Sequence, residues 1–508
     1  MPKHGTDALH KLIHSLDRSE KGYVKRYCTR HTIGDEVEYL AVFDIVDDMN
    51  VYDEEVVKSR LPSATHVRRL ASIKSHLYQQ ILEAMRVYHA AKSAERTITE
   101  LLLDADFLWE KALYDQAMKR VMKAKALAQE HDEFTFWLKT ISWEKNYRGV
   151  VLERPQGDAT TDALSEEQDR VIDLMRSTIE YEKLGNLLQS NLMRRTTGDA
   201  SVDPWLRSLP SHPLLQDVAL ARSRPARLNF HMILSNWYAF VGADPQRAVH
   251  HAGELLQMVD REPTLTTARP DLELGVLQTY LQRCIDARMF DVYRTQADRL
   301  WDPSGKRPSR NIDVKRFYYA MTTELGYAVL SSDHDRVLSK LTFMRERFTA
   351  LREQIPEQSR LSASFLAARL CVEASKTREA GFWIRSVFEE DDDVRTDLQI
   401  ATRLLQLRLF ADEGDVDAMR SAVRSLTRLV TNRQMRTMRL DATLSYFRRS
   451  AEALTPRERT KLRNECIAKL GALTATTPFD TVTSAGIEEW LGMAARSGTA
   501  TVQPGLNY

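Results

Sequence analysis

The sequence is poor in glycine and cysteine, and neither sign of charge dominates it. Nineteen glycines in 508 residues are too few for a sheet-rich fold with many tight turns, whereas the helix formers Ala, Leu, Arg and Glu are plentiful. The four cysteines, Cys28, Cys284, Cys371 and Cys466, lie far apart and form no CxxC pair. That argues against a disulfide framework and predicts buried, reduced thiols in the cytoplasm. Lys+Arg number 72 against Asp+Glu 71, so any electrostatic role must come from local clustering. The opening MPKHGTDALHKL has no apolar core of signal-peptide length, and no window approaches a membrane-spanning run. A phosphate-cradling Gly-rich loop, HExxH, GxSxG and kinase-type motifs are all missing. The expectation is no catalysis, no cofactor and no membrane. With 43% hydrophobic and 28% charged residues, the chain still has the composition to bury several cores or one continuous one.

Against those absences stands one informative stretch, residues 101–129, LLLDADFLWEKALYDQAMKRVMKAKALAQ. It reads as a helix, a turn at Leu113-Tyr114-Asp115 and a second helix. Ala105, Ala117 and Ala124 fall where tetratricopeptide repeats place their small packing residues, with Leu108, Tyr114 and Val121 at the larger positions. Earlier, a helix pair is predicted over residues 7–16 and 18–31, and Asp17 and Glu20 have capping-box spacing. A short helix over 53–61 stops at Pro62. A long one over 65–91 carries the apolar stripe Leu70, Ile73, Leu77, Ile81, Met85 and Tyr88, with Arg68, Arg69, Lys74 and His76 outside it.

The text LIHSLDRSEKGYVKRYC resembles the opening of a group of bacterial helical-repeat proteins of uncharacterised activity. Leu12, Ile13, Ser15, Leu16, Ser19, Glu20, Lys21, Tyr23 and Lys25 match that opening, while Gly22 stands where a basic residue is expected. The likeness continues through SHLYQQILEAMRVYH and Trp143-Glu144-Lys145. It implies a fold and brings no chemistry with it.

From Arg227 a rhythm of turn then helix recurs at DPQRAV, FDVYR, HDRVL, TREAGF and GDVDAM. Ala248, Tyr293, Val337, Ala380 and Ala418 occupy comparable places, roughly 40–45 residues apart. Five segments follow: an N-terminal helical cap (1–95), first hairpins (96–195), a Pro/Ser-rich connecting loop (196–226), a degenerate helical-repeat array (227–473) and a C-terminal tail with a short docking helix (474–508). Residues 153–167 read as a polar loop. The 196–213 break reads as one that docks through Trp205, Leu206 and Leu209, and 474–483 as extended. The expected fold class is all-α: an α-solenoid, right-handed, of degenerate hairpins like tetratricopeptide repeats, with an N-terminal helical cap.

Two clusters carry the chemistry worth weighing. His10, His14, Cys28 and His31 are zinc-type ligands that would suit a tetrahedral site if the first two helices fold together. The simpler expectation puts both histidines on an exposed helix face and Cys28 in the core, with no metal. His250-His251 point different ways on a helix and form no ligand pair. The stronger signal is Arg420, Arg424 and Arg428, stepping at i, i+4, i+8 along one helix, followed by Arg433, Arg436 and Arg439. Arg448, Arg449, Arg457, Arg459, Lys461 and Arg463 extend it. Three readings stay open for this stripe: a solvated face paired within the chain, with Glu389–Asp393 the obvious partner; a site for an acidic protein or peptide; and a nucleic-acid backbone site. The acid run itself reads as a solvated turn between helices. The expected function is a non-catalytic cytoplasmic scaffold whose successive inner helices grip a protein or peptide partner; the alternative is a nucleic-acid-associated regulator using the Arg-rich C-terminal third.

Overall fold

Helix is the only regular secondary structure among the described residues of the computed structural model, which are 8–31, 36–61, 64–89, 93–153, 159–196, 200–262, 269–301, 309–331, 333–391, 394–473 and 480–493. The chain divides into two compact units, Met1–Gln168 and Asp169–Tyr508. The first holds α1 (Ala8–Ser15), α2 (Arg18–His31), α3 (Glu36–Asp47), α4 (Glu54–Arg60), α5 (Ala64–Tyr88), α6 (Ala94–Glu110), α7 (Tyr114–Glu130) and α8 (Phe134–Val150). The division falls within α9 (Ala159–Thr196).

Local chemistry explains several helix starts in the first unit. Asp17 accepts from the Ser19 and Glu20 amides while the Glu20 carboxylate accepts from the Asp17 amide, so the anticipated capping box opens α2. Asp53 caps α4. On α5, Leu70, Ile73, Leu77 and Ile81 are buried against Ile13, Val24, Val42, Phe43 and Val46. Ala105, Ala117 and Ala124 are fully buried where α6 meets α7. Their turn lies at Lys111–Leu113 instead of 113–115, because Ala112 adopts φ 58° and Tyr114 already begins α7. Most later hairpin turns repeat this device without glycine. Asp132, Ala243, Arg288, Ser375 and Gln434 all have positive φ, and among these turns only Gly414 is a glycine.

The 153–167 stretch corrects the loop expectation. Residues 154–158 are outside the described set, but α9 is helical from Ala159. Leu164 is buried, and Glu167 accepts from Lys125 Nζ (2.8 Å) and Trp137 Nε1 (2.7 Å). Glu167 thereby ties the start of α9 to α7 and α8.

In the second unit, the 200–221 segment folds as short 3₁₀ turns around α10 (Asp203–Ser208). It docks through buried Leu206 and Leu209 and half-buried Trp205. Then follow α11 (Arg224–Phe240), α12 (Pro245–Asp260), α13 (Pro270–Asp286), α14 (Phe290–Gln296), α15 (Asp298–Trp301), α16 (Arg310–Ser331), α17 (His334–Leu338), α18 (Leu341–Leu351) and α19 (Glu357–Glu373). The chain continues with α20 (Thr377–Phe388), α21 (Thr396–Glu413), α22 (Val416–Asn432), α23 (Met438–Ser450), α24 (Pro456–Ala472) and the single turns α25 (Thr481–Ser484) and α26 (Ile487–Trp490). Sequence neighbours pack as pairs: α11 on α12, α19 on α20, α21 on α22 and α23 on α24. Tyr293, Val337 and Ala380 are buried with Ala248, whereas Ala418 is half-buried.

A second set of contacts links α13, α16, α19 and α21 in succession. None of the four carries an exposed residue over 272–287, 314–331, 357–374 or 394–411. Such helices are core, not lining. Several of their polar groups find partners inside: Thr322 and Thr402 bond back to their own helices, and buried Glu324 accepts from Trp301 Nε1 (2.8 Å) and Lys340 Nζ (2.7 Å).

Candidate anion-binding surface

The last three long helices carry a local excess of positive charge. Residues 416–473 hold thirteen Lys/Arg against five Asp/Glu, in a protein whose net charge is +1. On α22, Met419, Val423, Leu426 and Val430 are buried, which turns Arg420, Arg424 and Arg428 outward at the opposite side. All three are exposed. Arg420 is partly engaged, 3.7 Å from Asp417 and donating to the Ala451 carbonyl. Arg424 and Arg428 have no ion-pair partner among the described residues.

The rest of the basic series divides by burial. Arg433 is exposed just past the end of α22. Arg436 is exposed and pairs with Asp441 at 2.8 Å. Arg448, Arg457, Arg459 and Lys461 are exposed on α23 and α24, and Arg449 pairs with Glu465. Arg463 donates to the Leu491 carbonyl and so serves the C-terminal segment. Arg439 corrects the sequence reading outright. It is buried, with Asp480 at 2.5 Å and Glu488 at 2.9 Å, and it donates to the Leu470 and Leu473 carbonyls. It is a structural residue.

Among the described residues of the acid run, Glu389 and Glu390 are engaged away from the α22 arginines. Glu389 pairs with Arg352 at 3.2 Å, and Glu390 is held by both Arg352 and Arg360. Glu390 is buried, against the solvated turn expected there, whereas its neighbours Glu389 and Asp391 are exposed; Asp392 and Asp393 lie outside the described residues. Near Arg68 and Arg69, Lys74 is taken by Glu54 (2.7 Å), which leaves that smaller basic group weaker still.

The histidines also found partners that spacing did not reveal. His10 is buried, and its Nε2 lies 2.8 Å from the Met49 carbonyl; His14 Nε2 lies 3.2 Å from that of Val46. Both rings thus meet carbonyls near the C-terminal end of α3, so the exposed face expected for them is wrong. Cys28 is buried and burial raises its pKa; the side chain of His31 lies outside the described set. Among the described residues, no group of three or more His, Cys, Asp or Glu is placed to hold a metal ion. None of their helices is long and apolar enough to cross a membrane.

On α12, His250 is exposed, whereas His251 turns inward. His251 Nδ1 lies 3.1 Å from His231 Nδ1, and its ring stacks on Tyr238. Only one proton fits between two facing nitrogens, so the pair is stable with at most one N–H there. Burial, then His231, His250 and Arg247, push His251 down to about 4; burial lowers His231 too, against Glu254. The folded state therefore favours neutral rings. Their contribution is complete above the ordinary histidine pKa of about 6.5 and is lost as pH falls from there toward 4. Urea denaturation should show His251 contributing roughly 2–3 kcal/mol to the stability lost across that window. A His251→Gln protein should show a flatter pH dependence, and an unchanged slope would remove His251 as the cause.

Together these features define an all-α protein of neighbouring helix pairs with a basic face near its C-terminal end. Comparison with family models, with curated proteins and with solved structures gives no match to this chain.

Proposed function

We propose that the protein is a non-catalytic cytoplasmic scaffold that holds an acidic part of a protein partner on α22 and its neighbours. The observation that carries this reading is the outward row of Arg420, Arg424 and Arg428, two of them unspent on intramolecular ion pairs among the described residues. Arginine forks suit carboxylates, and a guanidinium is more weakly hydrated than an ammonium, so it costs less to desolvate on binding. Four buried free thiols support a reducing compartment. The array of paired helices, read as a solenoid of hairpins like tetratricopeptide repeats, supplies the rigid support for such a face.

Nucleic acid is the second reading, favoured by the excess of basic over acidic residues across 416–473. The test is capture from native lysate by the intact protein and by Arg420→Glu/Arg424→Glu/Arg428→Glu, with nuclease added to half of each sample. A protein partner that survives nuclease and disappears with charge reversal is the expected result. Capture abolished by nuclease supports the second reading, and identical capture by both proteins sinks both.

A further inference from the structure

We infer that the occupant of the α22 face is an extended acidic segment with Asp or Glu at alternating positions. This inference rests on the scaffold reading and adds the geometry of the partner. Residues four apart on one helix rise about 6 Å, so the three arginines form a ladder with that step. In an extended chain, alternate side chains share a face and recur about every 6.8 Å. The two steps differ by less than about 1 Å, which flexible arginine side chains absorb. Ser421 and Ser425, both exposed, form a second row beside the arginines on the same outward side; being small, they let a backbone come close and offer it hydroxyls.

Other occupants fit less well. A partner helix with acids at i, i+4 matches the ladder, but helix docking draws its affinity from apolar anchors. Every apolar residue of α22 is buried or half-buried, so that face provides no anchor. Single-stranded nucleic acid needs aromatic stacking platforms. The aromatics of 416–473 are Tyr446, half-buried, and Phe447, buried. Residues 494–508 contain no Asp or Glu, so the chain's own tail lacks the charge to fill the site. At the other end of the second unit's acid supply, Glu390 is already committed to Arg352 and Arg360.

The test uses the full chain and fluorescence anisotropy at physiological ionic strength with three labelled probes. One peptide carries Glu at every second position, one has the same composition with its glutamates in a single block, and the third is a single-stranded oligothymidine of equal charge. The alternating peptide should bind about fivefold tighter than the blocked one, and Arg424→Glu/Arg428→Glu should weaken it at least about tenfold. Arg424→Lys/Arg428→Lys, which keeps the charge, should lose only part of that affinity. Equal affinity for the two peptides overturns the extended register but leaves the lysate result standing. Tighter binding of the oligonucleotide overturns it in favour of nucleic acid. Charge reversal that leaves peptide binding unchanged overturns it together with the scaffold surface.

Discussion

Arg439→Ala should destabilise the Asp169–Tyr508 unit by about 3–5 kcal/mol, the range seen when one partner of a buried ion pair is removed. The guanidinium is only 3% exposed and faces two carboxylates that are themselves largely buried, Asp480 and Glu488. Without it, both would lose their counter-charge, and the Leu470 and Leu473 carbonyls would lose a donor. The consequence should be regional. Asp480 caps α25, Thr483 donates to Glu488, and Arg369 donates to the Ser484 carbonyl, so these polar contacts hold residues 480–493 in place. Gly486 adopts φ +64°, and a Cβ there would crowd Arg369 and Glu373, each 3.3 Å from where it would sit. Trp490 completes the contact by stacking on Phe447 and donating to Asp412. Limited proteolysis of Arg439→Ala should therefore cut first near residues 480–493. An unaltered urea midpoint and cleavage pattern would show that the segment is held by its apolar contacts alone. Arg439→Met/Asp480→Asn/Glu488→Gln, which removes the charges together, should recover much of the loss.

The second large effect lies in the first unit, at Lys125. This lysine is 7% exposed and donates to Glu144 (2.5 Å) and Glu167 (2.8 Å), tying α7 to α8 and to the start of α9. Burial opposes its charge, but the two acids outweigh that and its pKa sits above the ordinary lysine value. Lys125→Ala should cost about 3–5 kcal/mol, because two half-buried carboxylates are left facing each other. Lys125→Met/Glu144→Gln/Glu167→Gln should lie much closer to the parent protein. If the single and triple variants unfold at the same urea concentration, the loss comes from packing of the lysine stem and not from charge.

Lys125 also shows where sequence reasoning stopped. The small residues Ala117 and Ala124 announced the buried face of α7, and Trp143-Glu144-Lys145 stood out as a motif. In the fold, Trp143 packs edge-on to Trp109, Glu144 meets Lys125 and Lys145 reaches Gln168. Nothing in the local pattern around Lys125 marked it as buried, since lysine is common on exposed helix faces. The basic series makes the same point within four residues. Arg436 is exposed and Arg439 buried, although both belong to one run of positive charge. Arg436 lies in the turn before α23 and Arg439 in its first turn, and the covering of Arg439 depends on a segment some forty residues away.

What the sequence determined alone is the local grammar: which stretches are helical, where Asp17 and Glu20 cap one, and which faces of α5, α6, α7 and α22 turn inward. Those features depend on residues within about two helical turns of each other, so a single chain read in order contains them. Tertiary structure alone decided that α13, α16, α19 and α21 carry no exposed residue over 272–287, 314–331, 357–374 and 394–411. It also joined Glu390 to Arg352 and Arg360, and His251 to His231, and left Arg424 and Arg428 facing outward without intramolecular ion pairs among the described residues. Each of those outcomes is a choice among many charged or apolar surfaces of similar composition. Desolvation makes that choice, penalising every buried charge that lacks a partner, and it acts between helices that sequence distance does not relate.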